Sequence, residues 1–210
     1  MAKRKQSRKP QIVARAKLPT RFGNFDILGI EGREPSDTAV AVVKGLIGSN
    51  GRSGRNAVPL VRVHSQCLTG DVLASQRCDC RAQLEYSLAE IGKVPQGILL
   101  YLPQEGRGIG LLNKLKAYEL QDGGMDTVEA NRKLGFAADS RDYRFSADIL
   151  KLLGARRVRL LSNNPDKVKQ LEGAGIEIVE RLPCQPRTSR RSRAYLRTKK
   201  HKLGHLLAGL

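Results

Sequence analysis

Residues 64–80 read H-S-Q-C-L-T-G-D-V-L-A-S-Q-R-C-D-C and contain three of the four cysteines of the chain. A turn through residues 69–71 would bring the sulfurs of Cys67, Cys78 and Cys80 to one point. Three thiolates leave a tetrahedral zinc ion with one open position, and an open position distinguishes a catalytic zinc site from a structural one. A water in that position becomes a nucleophile near neutral pH. The spacing therefore predicts a catalytic metal site.

Other interpretations of these cysteines stay open at this point. Free cysteine is often a small buried hydrophobic residue, and a C-x-C pair can be coincidental. A disulfide is disfavoured because no signal peptide or membrane-length apolar run places the chain in an oxidising compartment. The main competitor is a structural zinc closed by four thiolates, with Cys184 as the fourth ligand. Cys184 lies between Pro183 and Pro186 and has no second cysteine beside it.

The charge of the chain is concentrated at its ends. The 210 residues are 40% hydrophobic, which is enough for one core and favours a single domain. Of the 38 basic residues, 16 lie in residues 1–17 and 181–210, which contain no acidic residue, so the rest of the chain holds 22 basic and 20 acidic residues. The net charge of +18 is therefore weak support for nucleic-acid binding, and a polyanionic small substrate explains basic residues equally well. Without a membrane-length apolar run or a lipidation signal, we expect a cytoplasmic protein with no membrane partner.

Apolar periodicity predicts strands in the first half of the chain and alternating helices and strands in the second. The segment 58–64 alternates apolar and polar residues, and the segment after Gly110 places leucines at helical spacing as an amphipathic helix. The predicted strands are 26–30, 39–44, 58–64, 97–102, 156–162 and 176–181, and helices are predicted after Cys80, after Gly110, at 128–134, at 142–153 and from Pro165, capped by Asn164.

This pattern predicts an α/β fold, a layered mixed sheet flanked by helices with a strand-rich N-terminal half. We expect a basic flexible leader at 1–17, a catalytic domain at 18–182 and a basic C-terminal tail at 183–210. Ligands of such sheets bind where loops leave the carboxyl ends of strands, and Cys67, Glu105 and Ser162 follow such ends.

A glycine-rich turn, E-G-R-G-I-G at 105–110, precedes one of the predicted helices. It matches neither common phosphate loop, because the third glycine of G-x-G-x-x-G would fall at Leu111 and no Gly-Lys-Ser/Thr follows. A dinucleotide-binding fold is therefore disfavoured. Backbone amides at a helix start with Arg107 beside them still suit a phosphate, and the alternative is a tight strand-to-helix turn.

Two further stretches carry polar side chains suited to an anionic substrate. Asp139 and Arg141 are two apart, so in extended backbone they point to the same side, and a surface ion pair is the alternative. In S-N-N-P-D-K, Ser162 and Lys167 bracket a helix start and suit an anion or a base edge.

Taken together, these stretches closely resemble the GTP cyclohydrolase II family. The resemblance runs from about Ala14 to Leu207. It rests on R-V-H-S-Q-C-L-T-G-D, R-C-D-C, Q-E-G-R-G-I-G-L-L-N-K, D-T-V-E-A-N, L-G-F-A-A-D-S-R-D, L-S-N-N-P-D-K and the terminal Y-L-R-T-K-K-H-K-L-G-H-L-L.

The resemblance implies a cytoplasmic homodimer that opens the imidazole ring of GTP in the first step of riboflavin biosynthesis. Formate and pyrophosphate would be released, leaving 2,5-diamino-6-hydroxy-4-(5-phosphoribosylamino)pyrimidine. By motif matching, one Zn²⁺ per chain would be bound by Cys67, Cys78 and Cys80, and Mg²⁺ would accompany the GTP phosphates. The implied GTP contacts are Arg62, Val63, His64, Ser65, Gln66, Gln83, Glu105, Gly106, Arg107, Thr127, Ser162 and Lys167.

The resemblance also implies three catalytic residues. Asp139 would be the proton acceptor, Arg141 the nucleophile toward the α-phosphate and Tyr118 an active-site phenol. Because a guanidinium stays protonated, charge stabilisation is the alternative role for Arg141. The chain departs from the family pattern at Gln66, where glutamate is common, and at Ala39, where histidine is expected.

Two other functions remain as alternatives. A related GTP hydrolase would stop at the ring-opened formamidopyrimidine, although Tyr118 favours full loss of formate. A non-catalytic zinc protein would bind nucleic acid through its basic ends, and in such a protein Asp139 and Arg141 would be dispensable.

Overall fold

The structure is a computed structural model that describes residues 9–32, 37–45 and 58–186, together with residues 196, 200, 201, 204, 206 and 207. The first eight residues of the predicted leader and most of the predicted basic tail lie outside the described residues. The same holds for 46–57, most of a glycine-rich segment that we expect to be a mobile connection between two strands.

Seven strands form one sheet in the order β1-β2-β3-β5-β4-β6-β7. Strands β1, β2, β3 and β5 are antiparallel neighbours, whereas β5, β4, β6 and β7 run parallel. The strands are β1 (Gln11–Thr20), β2 (Gly23–Glu31), β3 (Thr38–Lys44), β4 (Leu60–Ser65), β5 (Gly97–Leu102), β6 (Arg157–Leu161) and β7 (Glu177–Leu182). The predicted α/β fold, with a mixed sheet and a strand-rich N-terminal half, is confirmed.

Five α-helices that the structure describes from end to end flank this sheet, and the described residues 196, 200 and 201 are also helical. The five are α1 (Cys80–Lys93), α2 (Leu111–Asp122), α3 (Thr127–Lys133), α4 (Arg144–Leu152) and α5 (Pro165–Gly173). The side chain of Asn164 accepts hydrogen bonds from two backbone N–H groups in the first turn of α5, as the Asn-Pro sequence predicts. No described helix has the length and apolar character that crossing a membrane requires.

The core lies on both faces of the sheet. On one face, Ile98 and Leu100 of β5 belong to a cluster with Ile149 of α4, and on the other, Leu99 belongs to a cluster with Ile91 of α1. A strand covered on both faces needs no polar side, which explains the continuous apolar sequence of β5.

Strand β4 lies within the predicted segment 58–64 except for its last residue, and it is likewise buried along most of its length, including its polar positions. Arg62 and His64, which supply the polar positions, are only 6% and 2% exposed. Their burial is tolerated because each side chain makes hydrogen bonds inside the protein. The alternation in β4 therefore marks polar groups directed into the protein.

Strand β1 runs across the boundary predicted at residue 17, so residues 11–17 are part of the sheet. Its backbone pairs with β2 from Gln11 to Thr20, yet the side chains of residues 11–17 are exposed. Because this edge strand is held by backbone hydrogen bonds and its side chains are exposed, its sequence shows no alternation of apolar residues. The predicted leader is thus too long by at least these seven residues.

The central strand should matter far more for stability than this edge strand. Replacing Ile98, which is 0% exposed, with alanine leaves a cavity and should lower the free energy of unfolding by about 2–5 kcal/mol. The same change at Ile12, which is 44% exposed, should cost less than about 1 kcal/mol. Urea unfolding of both variants measures the difference, and equal losses would contradict this description of the core.

Candidate active site

A cavity of about 430 Å³ opens where three parallel strands end. Strand β4 leads to Cys67, β5 leads to Glu105 and β6 leads to Ser162, and all three residues line this cavity. The carboxyl ends of parallel strands lie at one edge of a sheet, which is where such folds bind ligands. The volume is typical of a small-molecule site.

Three thiol groups form a cluster in the wall of this cavity. The sulfurs of Cys67, Cys78 and Cys80 lie within 4.8 Å of one another, and those of Cys67 and Cys78 are 3.7 Å apart. Zinc–sulfur bonds of about 2.3 Å at tetrahedral angles place two sulfurs about 3.8 Å apart. The cluster therefore fits a zinc ion held by three thiolates.

Gly70 allows the three sulfurs to approach. It lies in a π-helical turn, Leu68–Val72, and a Cβ atom at this position would be 2.8 Å from the sulfur of Cys78 and 3.1 Å from that of Cys67. Any larger residue would push these sulfurs apart. Glycine is needed at position 70 because a side chain would not fit, and not because of the backbone conformation.

Asp71 fixes the cysteine turn to the sheet. Its carboxylate accepts hydrogen bonds from the backbone N–H of Cys67 at 3.0 Å and from the hydroxyl of Tyr101 at 2.8 Å. It also lies 3.2 Å from Nε2 of His64, whose ring stacks on Tyr101. Asp71 thus positions Cys67, a role that the T-G-D sequence does not reveal without the fold.

Cys184 lies apart from the three-thiol cluster. Its backbone exchanges two hydrogen bonds with the side chain of Asn163, and its sulfur contacts the hydroxyl of Ser87 at 3.5 Å. Among the described residues, the group of possible metal ligands consists of Cys67, Cys78 and Cys80. This arrangement argues against the closed four-thiolate site.

The charge of the cluster is concentrated on Cys67. Hydrogen bonds from Cys78 and Cys80 hold the pKa of the Cys67 thiol well below its usual range, and the nearby Lys114 ammonium adds to this effect. The same hydrogen bonding raises the pKa of Cys78 to about 11. A bound metal ion would displace the remaining protons, since the thiolate is the ligand.

The predicted phosphate turn packs beside the thiol cluster. Gly106 and Arg107 both have φ of 62°, in the left-handed region that is unusual for arginine. The carbonyl of Arg107 accepts a hydrogen bond from the N–H of Ser140, and its guanidinium contacts the carbonyl of Ala138 at 3.4 Å. The turn is therefore fixed to the segment that carries Asp139 and Arg141.

Asp139 and Arg141 form a bidentate ion pair. Nε of Arg141 donates to the Asp139 carboxylate at 2.8 Å, and a second guanidinium nitrogen donates to its other oxygen. Burial would raise the pKa of Asp139, but the hydrogen bonds and charge of Arg141 outweigh it and lower that pKa. Of the two residues, Arg141 is the one that lines the cavity.

Further cations are buried at the cavity. The ammonium of Lys167 donates to the carbonyl of Val63 at 2.6 Å, and its pKa lies well below the usual value because of burial and the positive charges of Arg62 and Arg141. Arg62 donates to the side chain of Gln83 at 2.6 Å. Within the described residues, Nε of Arg62 and Nδ1 of His64 are buried without a hydrogen-bond partner. An anionic ligand would relieve this excess of positive charge.

A family model described as GTP cyclohydrolase II matches residues 11–183. The chain belongs to the GTP cyclohydrolase II family. The resemblance seen in the sequence motifs is thereby confirmed.

Relatives of this family member cover most of the chain. GTP cyclohydrolase-2 of Buchnera aphidicola is 50% identical over 198 residues, which make up 94% of this chain and 99% of that protein. Riboflavin biosynthesis protein RibBA of Bacillus cereus is 54% identical over 190 residues, or 90% of this chain and 46% of that protein. The chain thus spans about half the length of the RibBA relative. A crystal structure of RibBX, a two-domain 3,4-dihydroxy-2-butanone 4-phosphate synthase from A. baumannii, overlaps only loosely, with a TM-score of 0.40 and 19% identity over 73% of this chain and 34% of that one.

Nearly all the residues that the family resemblance implies lie at one cavity. Exceptions are Val63, whose carbonyl binds Lys167, and Asp139, which contacts Arg141. Those that line the cavity are Arg62, His64, Ser65, Gln66, Cys67, Cys78, Cys80, Gln83, Glu105, Gly106, Arg107, Tyr118, Thr127, Arg141, Ser162 and Lys167. Their chemical roles stay predictions.

Lys114 also lines the cavity, although the sequence motifs did not single it out. It is 8% exposed on α2, whereas Leu112 and Leu115 of the same helix are 74% and 45% exposed. The amphipathic pattern predicted for α2 was therefore wrong at these positions. A lysine within a leucine-rich helix suggests a solvent-facing residue, and the available signal was its place at the end of the motif Q-E-G-R-G-I-G-L-L-N-K.

The metal content of cysteine variants tests the three-thiol site. Replacing Cys67, Cys78 or Cys80 with serine removes a soft ligand, so each folded variant should lose most of its zinc from an initial one ion per chain. Cys184→Ser is the matched control and should keep its zinc. Elemental analysis of purified proteins measures the content, and equal loss from Cys184→Ser would support the four-thiolate site instead.

Proposed function

We propose that this chain is a zinc-dependent hydrolase that opens the imidazole ring of GTP. Formate and pyrophosphate are released, and 2,5-diamino-6-hydroxy-4-(5-phosphoribosylamino)pyrimidine remains. One observation carries the proposal: a three-thiol cluster and several buried cations line the same cavity. An enzyme that opens the ring of a nucleoside triphosphate requires both, because the base of the substrate reacts and its phosphates carry the negative charge. The name of the RibBA relative supports a place in riboflavin biosynthesis.

The thiol end of the cavity suits the ring-opening step. Zinc held by Cys67, Cys78 and Cys80 would act as a Lewis acid and lower the pKa of a water at its open position. Tyr118 places its hydroxyl 3.2 Å from Thr69 in the cysteine turn. Burial raises the pKa of Tyr118, so the phenol keeps its proton and can donate it to a leaving nitrogen. A proton donor beside the cysteines favours complete loss of formate over a formamidopyrimidine product.

Positive charge in the same cavity suits the triphosphate. Arg107, with the backbone amides of the turn at the start of α2, would bind phosphate oxygens together with Mg²⁺. Arg141 projects into the cavity from its pair with Asp139. Positioned cations lower the barrier to loss of pyrophosphate because negative charge develops on the leaving oxygens.

The pairing of Arg141 with Asp139 favours charge stabilisation over nucleophilic attack by Arg141. A guanidinium that donates two hydrogen bonds to a carboxylate remains protonated and has no lone pair to offer. Proton transfer to Asp139 competes with the hydrogen bonds and the positive charge of Arg141, which lower the pKa of this carboxyl group despite its burial. A water molecule would then attack the α-phosphate as pyrophosphate leaves, and we retain Asp139 as the acceptor of the proton that this water loses. This role is open to a direct test.

Substrate contacts and assembly follow from the same family membership. We infer that Arg62, Gln83, Ser162 and Lys167 contact GTP, together with the other implied residues that line the cavity. We further propose that the chain acts as a cytoplasmic homodimer. The exposed leucines at 112 and 115 supply apolar surface of the kind that subunit contacts bury.

Separate measurement of formate and pyrophosphate tests whether different residues of the cavity serve ring opening and pyrophosphate release. Cys78→Ser should abolish formate release, because ring opening depends on the metal. Arg141→Ala should slow pyrophosphate release by about a hundredfold or more, the scale of removing one positioned charge from a transition state. Asp139→Asn keeps the shape but removes the base, and it should also be severely impaired.

A second ion pair provides matched controls for these variants. Asp142 and Arg144 have the same spacing and also form an ion pair, in which two guanidinium nitrogens donate to one carboxylate oxygen, but their side chains are 49% and 81% exposed. Asp142→Asn and Arg144→Ala should therefore release both products at nearly the normal rate. Normal release of formate and pyrophosphate from Arg141→Ala and Asp139→Asn would contradict the proposed mechanism.

A further inference from the structure

Lys114 is the most unusual residue of helix α2. It is 8% exposed, although lysine is rarely buried, and the same helix leaves Leu112 74% exposed. A buried ammonium is unfavourable unless it is paired and hydrogen-bonded. The burial of Lys114 in place of a leucine therefore requires strong compensating contacts.

Three acceptors surround the ammonium of Lys114. Nζ donates to the sulfur of Cys67 at 3.1 Å, to the hydroxyl of Thr69 at 2.8 Å and to the carboxylate of Glu105 at 2.7 Å. An ammonium has three N–H donors, so these contacts use all of them. One of the three predicted metal ligands is thus directly hydrogen-bonded to a buried cation.

Glu105 extends this contact to the backbone on both sides. One carboxylate oxygen accepts the N–H of Leu68, the residue after Cys67, at 2.6 Å. The other accepts the N–H of Gly106, the next residue of the phosphate turn, at 3.1 Å, as well as the Lys114 ammonium. Lys114 and Glu105 together join the cysteine turn to the phosphate turn.

We propose that Lys114 is a positioning residue of the zinc centre, a role that rests on the zinc site in the proposed function. Three thiolates around a divalent ion carry one net negative charge and Glu105 carries another, so the ammonium of Lys114 lies between two anionic groups and stabilises both inside the protein. Its hydrogen bond fixes the orientation of the Cys67 sulfur. It also withdraws electron density from that sulfur, which leaves the metal a stronger Lewis acid.

Metal binding by a Lys114→Met variant tests this role without measuring catalysis. Methionine keeps the length of the side chain but removes the charge and the donors. Zinc affinity, measured by competition with a chromogenic chelator, should fall by about tenfold to a hundredfold, the usual effect of removing a partner of a metal ligand. Lys116→Met is the control, because Lys116 is exposed on the same helix. The Lys116→Met protein should bind zinc with normal affinity.

Cobalt(II) substitution reports on the sulfur itself. The thiolate-to-metal charge-transfer band should shift to lower energy in Lys114→Met, because a thiolate that loses a hydrogen bond gives up electron density more readily. The band should not move in Lys116→Met. A purely structural role for Lys114 would leave the band of the folded, cobalt-loaded variant unchanged, and that result would overturn the proposal.

A double variant shows whether Lys114 affects zinc affinity through the Cys67 thiolate or only through Glu105. Lys114→Met combined with Glu105→Gln leaves no unpaired buried charge, so it also serves if the single variant does not fold. We expect zinc affinity to stay at least about tenfold below that of the unmodified protein. Normal affinity in the double variant would mean that Lys114 only neutralises Glu105 and would overturn the proposal. Failure of the unmodified chain to bind zinc or cobalt would overturn the zinc site, and the proposed function with it.

Discussion

The close approach of three sulfurs, with those of Cys67 and Cys78 packed against Gly70, is the constraint on which the rest of the site depends. Sulfurs this close cannot all be negative without a metal ion or a nearby cation. Lys114 supplies the nearby cation, and Glu105 in turn balances Lys114. Because Glu105 is the first residue of the glycine-rich turn, its contacts with Lys114 and the cysteine turn also set the position of Arg107.

Elsewhere in the cavity, positively charged side chains outnumber negatively charged ones. Burial and the nearby positive charges of Arg62 and Arg141 lower the pKa of Lys167. The carboxylate of Asp139 is already paired with Arg141. Such a site is poised for an anion, because a bound phosphate or an electron-rich base edge would stabilise the buried ammonium. The thiol cluster and the cations line one cavity, which suits a substrate that has both a reacting ring and charged phosphates.

The sequence predicted well those elements in which local pattern and burial agree. Strand β5 has the predicted bounds because six apolar residues lie between Pro95 and Pro103 and are covered on both faces. The start of α5 was also predicted, since Asn164 and Pro165 act within one turn of backbone. The sulfurs of the three predicted ligands, Cys67, Cys78 and Cys80, converge as their spacing indicates.

The failures have the common cause that a single sequence does not show long-range contacts. Strand β1 depends on backbone pairing with β2 and has exposed side chains, so no apolar period marks it. Lys114 is buried because it meets Cys67 and Glu105, which lie 47 and 9 residues away along the chain. The position of Cys184 relative to the cluster could likewise be decided only by the folded chain.

One measurement tests the central claim that the thiol cluster and the cationic residues act on a single molecule of GTP. GTP labelled with ¹³C at C8 would be incubated with the zinc-loaded protein and Mg²⁺, and the carbon would be followed by NMR while pyrophosphate is measured in parallel. We expect the label to appear as free formate in an amount equal to the pyrophosphate released. Label that stays on the pyrimidine as a formamide, or formate without pyrophosphate, would contradict the claim.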